Sequence, residues 1–523
     1  MANLYIVFAV LYCFLLGPIQ GRILTLLPMD DHISLPPSPA PNAYNGSGGN
    51  VVDHYSHAPS PSSHTYNVTI ESSPAPSPSS HTYNVTVESS PAPTPSIVVK
   101  NDTTIAQEVA VYDVMSLGAI GDGVTDDTAA FKSAWDTACQ IENAKVLAPK
   151  GFTFLLQPLI FTGPCKSGLV FQVEGTIVPP DGPNSWPKKM SKKQWIIFYR
   201  AHGLAFQGSG LIDGRGEKWW NLPCKPHKVR RSKGVSGSTN NAGPCDSPVA
   251  IRFFGTTNLT VRGVKFINSP EFHIRFDACQ SVHVDSLFIK SPGNSPNTDG
   301  IHVENTVDVT IHNSVISNGD DCISIGAGSH NLDIKNVTCG PSHGISIGSL
   351  GVRNSRACVS NITVTNCFIK HSDNGVRIKT WQGGSGSVSD ITFNNIKMDT
   401  VRNPVMIDQY YCLSKNCSNS TSAVSIASIS YSNIKGTYDT RSPPVHLACS
   451  DSVPCTKITI TDLDLLPALA TGSVSTSKYG SLAQPFCWNA YGSLGASTVP
   501  PVYCLLEGLP PLDVPGGDVV GQC

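Results

Sequence analysis

Asp308-Val309-Thr310-Ile311-His312-Asn313 recurs further along the chain as Asn331-Leu332-Asp333-Ile334-Lys335-Asn336, with the same pattern of apolar and polar residues. Alternation with a period of two, together with the branched residues Val, Ile and Thr, is typical of a β-strand that buries one face. The two copies therefore predict two strands of one repeating unit.

The first four positions of this segment form a pattern that occurs eight times in the chain. The unequal intervals between successive copies, roughly 23 to 38 residues, are expected of coils that each contain one loop of variable length. In five copies an asparagine follows two residues after the segment, and stacked asparagines can hydrogen-bond one another in a turn. We therefore predict an all-β chain, a parallel β-solenoid with coils ~4.8 Å apart. The copies begin at Asn258, Ser281, Asp308, Asn331, Asn361, Asp390, Ser428 and Lys457, and the asparagines are Asn313, Asn336, Asn366, Asn395 and Asn433.

A β-sandwich is the alternative fold, since its strands also recur regularly. Sandwich strands usually return after about 8 to 12 residues through hairpin turns, whereas the self-similarity here has the longer period of a coil. The segment Thr128 to Trp135 predicts a short helix, with Thr125 or an adjacent Asp as its cap. Such a helix would close the N-terminal end of the solenoid.

The 523 residues divide into three parts by composition. Residues 1–21 contain an apolar run that predicts a secretory signal peptide, with an uncleaved membrane anchor as the alternative. Residues 22–107 are rich in proline and serine and include a tandem 17-residue repeat, which predicts an extended, solvent-exposed segment. This segment resembles hydroxyproline-rich wall glycoproteins, and a plain spacer or a removable pro-segment is the alternative. Residues 108–523 form the predicted solenoid domain.

The number of cysteines is typical of an exported protein. Of 17 cysteines, 16 remain after the signal peptide, and an even number in an exported chain predicts disulfides. The close pairs are Cys412 with Cys417, Cys449 with Cys455 and Cys322 with Cys339. A cysteine metal site is the alternative, but the chain has no C-x-x-C pair. Nine N-x-S/T acceptor sequons are compatible with glycosylation.

The net charge is -2, so binding of a polyanion would need a local group of cations rather than bulk charge. The longest basic run, Lys228 to Lys233, lies in a Gly- and Ser-rich loop and is interpreted as a solvated loop. Nucleic acid is therefore not an expected partner.

Three ionisable residues, Asp299, Asp321 and His343, are evenly spaced along the chain. In a solenoid with coils of about 22 residues they would form one column. Their motifs are Asn297-Thr298-Asp299-Gly300, Gly319-Asp320-Asp321 and Ser342-His343-Gly344, followed by Arg377-Ile378-Lys379.

Each motif alone is weak, since a Gly-Asp-Asp turn, a single histidine or an Arg-x-Lys pair is usually structural. On successive coils they would bring together carboxylates, an imidazole and two cations on one side of a strand. Glycoside hydrolysis needs such a set, because one carboxyl donates a proton while another activates water. Crowding of three aspartates is expected to raise the pKa of at least one of them.

These motifs, with Gly210-Leu211-Ile212-Asp213-Gly214 and the opening Val111 to Thr128, resemble those of the plant polygalacturonases, a family of pectin-degrading glycoside hydrolases. The resemblance implies a right-handed parallel β-helix and hydrolysis of α-1,4-galacturonosidic bonds with inversion. It implies that Asp320 is the general acid, that Asp299 and Asp321 activate water, and that His343 supports the acid. Further expected substrate-binding residues are Asn297, Arg377, Lys379 and Tyr411.

One residue departs from the family pattern: Ser342 stands where glycine usually precedes the histidine. The expected partner is pectic polysaccharide, and the expected protein is a secreted cell-wall monomer without a metal or other cofactor and without a membrane segment after signal removal. Two alternatives are a pectate lyase, which would use calcium, and a non-catalytic wall protein that binds pectin. The sequence leaves endo and exo action open.

Overall fold

A computed structural model describes residues 109–220, 246–413, 419–468, 484–495, 497–511 and 523. The predicted signal peptide, the Pro/Ser-rich segment and the basic loop 228–233 lie outside these residues. Two α-helices, α1 (Thr128–Ala138) and α2 (Glu217–Trp220), and two short 3-10 turns accompany the strands. In chain order the strands are β1 (Ala110–Asp113), β2 (Asp122–Asp126), β3 (Ala144–Ala148), β4 (Thr153–Leu155), β5 (Leu159–Thr162), β6 (Val170–Val173), β7 (Thr176–Val178), β8 (Gln194–Tyr199), β9 (Ala205–Gln207), β10 (Leu211–Asp213), β11 (Val249–Phe254), β12 (Thr257–Arg262), β13 (Lys265–Ile267), β14 (Ile274–Asp277), β15 (Gln280–Asp285), β16 (Phe288–Lys290), β17 (Ile301–Glu304), β18 (Val307–His312), β19 (Val315–Ser317), β20 (Ile323–Ile325), β21 (Ser329–Lys335), β22 (Thr338–Cys339), β23 (Ile345–Leu350), β24 (Arg356–Lys370), β25 (Asn374–Trp381), β26 (Ser385–Val401), β27 (Asn403–Tyr411), β28 (Ser425–Tyr438), β29 (Val445–Ala448), β30 (Cys455–Pro467), β31 (Phe486–Trp488), β32 (Ala490–Leu494), β33 (Thr498–Val499) and β34 (Leu506–Glu507).

The strands form two sheets that run along the coils. One sheet has 11 strands and contains β17, β20, β23 and β25, and the other has 23 and contains all eight predicted segments. Pairings within the described chain join parallel strands of successive coils, as in β18 with β21 and β20 with β23. The prediction of a parallel β-helix is therefore confirmed, and hairpin pairing of a sandwich is not the arrangement. Crossovers between such parallel strands are right-handed.

A stack of aromatic rings fills the interior at the N-terminal coils. Phe161, Phe198, Phe253 and Phe276 occupy the same register on β5, β8, β11 and β14, with ring centroids 5.0, 5.2 and 5.5 Å apart. Val303 continues the column on β17. The coils are therefore held in register by side chains that stack on their own equivalents, in addition to the backbone ladders.

Helix α1 closes the N-terminal end, as predicted. Its buried face includes Phe131 and Trp135, both fully inaccessible to solvent. The Trp135 ring contacts the rings of Phe161 and Phe198 at 5.0 and 5.5 Å. The first helical N–H, that of Thr128, is accepted by the carboxylate of Asp126. The helix therefore covers the apolar end of the ring stack, which would otherwise face water.

Asparagine ladders run along the outside, as predicted. The Asn336 amide donates to Asn313 at 3.0 Å, and Asn395 bonds both Asn366 at 2.7 Å and Asn433 at 3.0 Å. These five asparagines all have left-handed backbone, with φ between 50 and 56°. The first residue of each of the eight predicted segments is also left-handed, with φ between 53 and 60°. Asparagine tolerates this conformation better than most residues, so the repeat marks corners of the coil.

Two of the three expected disulfides are present, Cys322–Cys339 and Cys449–Cys455. Cys417 of the third lies outside the described residues. Three bridges that sequence spacing did not single out are Cys139–Cys165, Cys358–Cys523 and Cys487–Cys504. Cys279 and Cys367 are free and buried. Among the described residues, no helix is long and apolar enough to cross a bilayer.

Candidate active site

The predicted column of Asp299, Asp321 and His343 is present. Each lies two residues before an isoleucine, and those isoleucines, Ile301, Ile323 and Ile345, pair directly between β17, β20 and β23. The even interval between the three residues is therefore one complete coil. It places them at one edge of the 11-stranded sheet.

Asp321 is the most strongly held carboxylate of the site. Its oxygens accept hydrogen bonds from Arg377 Nη2 at 2.8 Å, Lys379 Nζ at 2.9 Å and Ser346 Oγ at 2.8 Å, and its side chain is 1% exposed. Burial raises the pKa of Asp321, but Lys379 and Arg377 outweigh burial and lower it to about 2. Asp321 is therefore ionised at any physiological pH and cannot be the proton donor.

Arg377 and Lys379 lie on the same side of β25, as their spacing predicted. Both are buried, and both contact Asp321. Their positive charges are thus used first to stabilise a carboxylate of the protein. The prediction that they also bind a sugar carboxylate is not tested by these contacts.

Asp299 has the opposite electrostatic environment. It is 5% exposed, and Ser324 Oγ lies 2.7 Å from its Oδ2. Burial, followed by the charges of Asp320 and Asp321, raises its pKa well above the ordinary value. The expected rise in pKa therefore occurs at Asp299, with burial as the largest cause and the crowding of aspartates as the second.

Asp320 is joined to the imidazole. His343 Nδ1 lies 2.9 Å from Asp320 Oδ1, the backbone N–H of Asp321 donates to the same oxygen at 2.9 Å, and His343 Nε2 lies 3.6 Å from Asp373. Burial lowers the pKa of His343, but Asp320 outweighs burial and raises it. The three aspartates thus have different partners. Asp320 contacts the imidazole of His343, Asp321 contacts two cations, and Asp299 contacts the hydroxyl of Ser324.

Comparison with known proteins supports one family. The model described as "Glycosyl hydrolases family 28" matches residues 138–480. The chain belongs to glycosyl hydrolase family 28. A probable polygalacturonase of Arabidopsis thaliana is 42% identical over 74% of this chain and 83% of its own length. Polygalacturonase-2 of Solanum lycopersicum is 40% identical over 71% of this chain and 78% of its own.

Solved structures share the fold of this family 28 chain at low sequence identity. The polygalacturonase of Erwinia carotovora is 22% identical with a TM-score of 0.57. The match covers 74% of this chain and 97% of the Erwinia chain. The endo-xylogalacturonan hydrolase of Aspergillus tubingensis is 24% identical with a TM-score of 0.58. The match covers 73% of this chain and 100% of the Aspergillus chain.

Two predicted substrate-binding residues of this family 28 site flank the column. Asn297 lies in a left-handed turn with φ of 53° shortly before Asp299. Tyr411 ends β27, where its ring lies 5.4 Å from Lys379 Nζ and 5.5 Å from the ring of Trp381. Tyr411 therefore adjoins the cationic pair, and the substrate contacts of both residues stay predictions.

Ser342, the departure from the family 28 pattern, is accommodated inside the turn. Its hydroxyl oxygen accepts the backbone N–H of Gly344 at 2.9 Å and lies 3.0 Å from Ser372 Oγ. The residue is 7% exposed. The added side chain therefore stabilises the turn that carries His343.

Sequence reasoning missed the two serines that contact the aspartates. Ser324 and Ser346 are separated by the same interval as the column and pair directly between β20 and β23. A serine in the buried pattern Ile-Ser-Ile, repeated one coil later, was the available signal. His302, on the coil before Ser324, pairs with that serine and was also missed.

The donor atoms of Asp320, Asp321 and His343 lie within 4.8 Å of one another, which is close enough to consider a metal ion. Asp321 already accepts bonds from Lys379 and Arg377, whose positive charges would repel a metal cation. The charges around these three residues therefore do not fit a metal centre.

Proposed function

We propose that this family 28 chain is a polygalacturonase that hydrolyses α-1,4 bonds between galacturonic acid residues of pectin with inversion. The observation that carries the proposal is the set of three buried aspartates with divergent environments on adjacent coils. One is fixed as an anion by two cations, and another is driven towards its neutral form. Such divergence separates acid and base roles between like side chains.

The roles follow the resemblance, within the limits that the charges impose. Asp320 donates the proton to the leaving oxygen, and His343, within hydrogen-bonding distance, supports it. Asp299 and Asp321 position and activate water on the other side of the bond. Asp299 must be ionised to act as base, so the proton that its raised pKa favours has to leave it first.

Crowding of like charges favours one shared proton within this group of three aspartates, and the pKa of Asp299 is raised accordingly. Asp321 does not hold the shared proton, because Arg377 and Lys379 stabilise its charge. The proposed reaction requires the proton donor to be Asp320, so Asp320 must be protonated when the substrate is bound. In the free protein the raised pKa favours a proton on Asp299, and the resemblance assigns the proton of the reaction to Asp320.

The proposal includes export to the cell wall, where pectin is found. Disulfides among the described residues support an oxidising compartment. We expect secreted material to begin after Gly21, and N-terminal sequencing that starts at Met1 would contradict this. The monomeric state and the role of residues 22–107 belong to the same proposal.

The first test is Asp320→Asn, which removes the proton donor while keeping the shape of the side chain. We expect normal folding by circular dichroism and a loss of about 10²-fold or more in reducing ends released from polygalacturonate. Asp464→Asn, on an exposed position of β30, is the matched control and should keep wild-type activity. Full activity of the Asp320 variant would contradict the assignment.

The products separate the alternatives. A hydrolase releases saturated ends, whereas a lyase would release unsaturated ends that absorb ultraviolet light and would depend on calcium. A pectin-binding wall protein would bind polygalacturonate without turnover. Product size over time from a defined oligogalacturonide then distinguishes endo from exo action.

A further inference from the structure

A continuous chain of hydrogen bonds leads from Asp299 away from the other aspartates. Asp299 Oδ2 lies 2.7 Å from Ser324 Oγ, Ser324 Oγ lies 2.7 Å from His302 Nδ1, and His302 Nε2 lies 3.3 Å from Glu304 Oε2. Asp299 and Ser324 are buried, and the side chains of His302 and Glu304 are 14% and 15% exposed. The chain therefore runs through a site largely closed to water.

Counting protons fixes the direction of each bond. Glu304 is paired with Arg275 at 2.9 Å, so it is an anion and accepts from His302 Nε2. Burial lowers the pKa of His302, so at neutral pH its ring carries a single proton, which the bond to Glu304 places on Nε2. His302 Nδ1 is then an acceptor.

The hydroxyl of Ser324 has one proton to give. With His302 Nδ1 as acceptor, that proton is directed to the imidazole, and Ser324 Oγ is left to accept from Asp299. The carboxyl of Asp299 must then carry a proton, which agrees with the direction of its pKa. An ionised Asp299 would need the Ser324 hydroxyl to turn towards it and to give up the bond to His302.

We propose that His302 is a positioning residue that acts through Ser324 to hold the proton on Asp299 in the free enzyme. Glu304 fixes the tautomer of His302, and that tautomer fixes the direction of the serine hydroxyl. Ionisation of Asp299 then costs the bond between Ser324 and His302. The consequence for catalysis rests on the proposed function, in which Asp299 acts as a base.

Other charges also face these groups, and they stay constant in the variants below. Asp320, Asp321 and Lys379 act on Asp299, and the neutral ring of His273 bonds its backbone oxygen at 2.9 Å. Arg275 and Asp277 act on His302, whose other face stacks on Phe272 with ring centroids 4.8 Å apart. A phenylalanine at position 302 would keep that stacking.

Two variants should shift the pH dependence in opposite directions. His302→Phe removes the acceptor, so the Ser324 hydroxyl is free to donate to ionised Asp299, and the acidic limb of the kcat/KM profile should move to lower pH. Ser324→Ala removes both the acceptor of neutral Asp299 and the donor that ionised Asp299 would recruit. Because the bond to the charged carboxylate is the stronger of the two, the limb should move to higher pH. Each shift should be about one pH unit, the tenfold effect of one hydrogen bond to a charged group.

The matched controls are His330→Phe and Ser360→Ala. His330 Nδ1 lies 2.9 Å from Ser360 Oγ across adjacent coils of the 23-stranded sheet, away from the site. These variants should leave the pH profile unchanged. A purely structural role for His302 and Ser324 would lower activity in both variants without moving the limb, or would move it in the same direction, and either result overturns the proposal.

A readout without turnover separates this inference from the proposed function. In histidine-labelled wild-type protein, ¹⁵N NMR at neutral pH should show His302, identified by its loss in His302→Phe, as the Nε2–H tautomer. Carboxyl ¹³C NMR should show the pKa of Asp299 falling in His302→Phe and rising in Ser324→Ala. If His302 is instead the Nδ1–H tautomer, the proposed direction of the hydrogen bonds is refuted. An inactive wild type with the expected spectra would refute only the polygalacturonase proposal.

Discussion

At the scale of single residues, the pair of cations on Asp321 dominates the energetics of the site. A buried carboxylate is tolerated only when its charge is compensated, and removal of one partner leaves an uncompensated charge. Arg377 and Lys379 provide that compensation from a strand two coils away, 56 and 58 residues along the chain. The same contacts that define the anion therefore also join three coils.

We predict that Lys379→Met destabilises the folded protein by about 3–5 kcal/mol at neutral pH. The matched control is Lys132→Met, which removes the exposed pair with Asp136 on α1 and should cost less than about 1 kcal/mol. Urea titration of both variants measures the difference. Equal losses would show that the buried pair contributes nothing beyond an exposed one.

The stability deficit of Lys379→Met should depend on pH. The pKa of Asp321 is lowered from 3.8 to about 2 in the folded state, so its stabilising contribution is complete above the unfolded value and is lost as the pH falls through that range. Because the variant lacks most of this contribution, its deficit should shrink between about pH 4 and pH 2. A deficit that grows on acidification would contradict this electrostatic account.

At the scale of elements, the asparagine corners combine a backbone requirement with a side-chain ladder. Asn395 on β26 is left-handed with φ of 53° and is bonded on both sides, to Asn366 and Asn433. Alanine in this conformation is strained by roughly 1–2 kcal/mol, whereas glycine is not. The corner therefore reverses the usual order in which glycine weakens a strand more than alanine does.

We predict that Asn395→Ala costs about 2–3 kcal/mol and that Asn395→Gly costs about 1 kcal/mol less, because both lose the ladder but only alanine is strained. At Thr392, an ordinary position of the same strand, the order should be the opposite, with glycine the more destabilising residue. Denaturation midpoints of the four variants test this. A larger loss for glycine at both positions would show that the ladder alone determines the cost.

Sequence patterns predicted some elements far better than others. The segments of the 23-stranded sheet alternate between core and solvent, so their period of two is visible in the sequence. β20 is buried at all three positions, because site side chains cover its outer face, and it shows no such alternation. The column of Asp299, Asp321 and His343 was visible as a spacing, whereas the bond from Ser324 to Asp299 depends on how two coils stack, which spacing alone does not give.

At the scale of the whole described domain, the core is a one-dimensional stack closed by α1. Each coil contacts mainly its neighbours, so a defect at one end is expected to remain local. Trp135 is the side chain that joins the helix to the ring stack, since it contacts Phe161, Phe171 and Phe198. Removal of the Trp135 side chain tests how far a defect at the N-terminal end lowers the stability of the later coils.

We predict that Trp135→Ala costs about 3–5 kcal/mol in local stability, because it opens a cavity in a fully buried aromatic cluster. Hydrogen exchange should rise in β1 to β8 and stay unchanged in β25 to β30. Trp488→Ala, at a side chain 53% exposed, is the control and should change neither region. Uniformly faster exchange would show that the coils unfold as a single unit.

The two buried thiols divide the solenoid into separately observable parts. Cys279 precedes β15 and Cys367 lies in β24, several coils apart, and burial raises the pKa of both thiols to about 11. Neither can meet an alkylating reagent as a thiolate while its coil is closed. The rate at which each thiol is alkylated therefore measures how often its own coil opens. No cysteine needs to be introduced for this measurement.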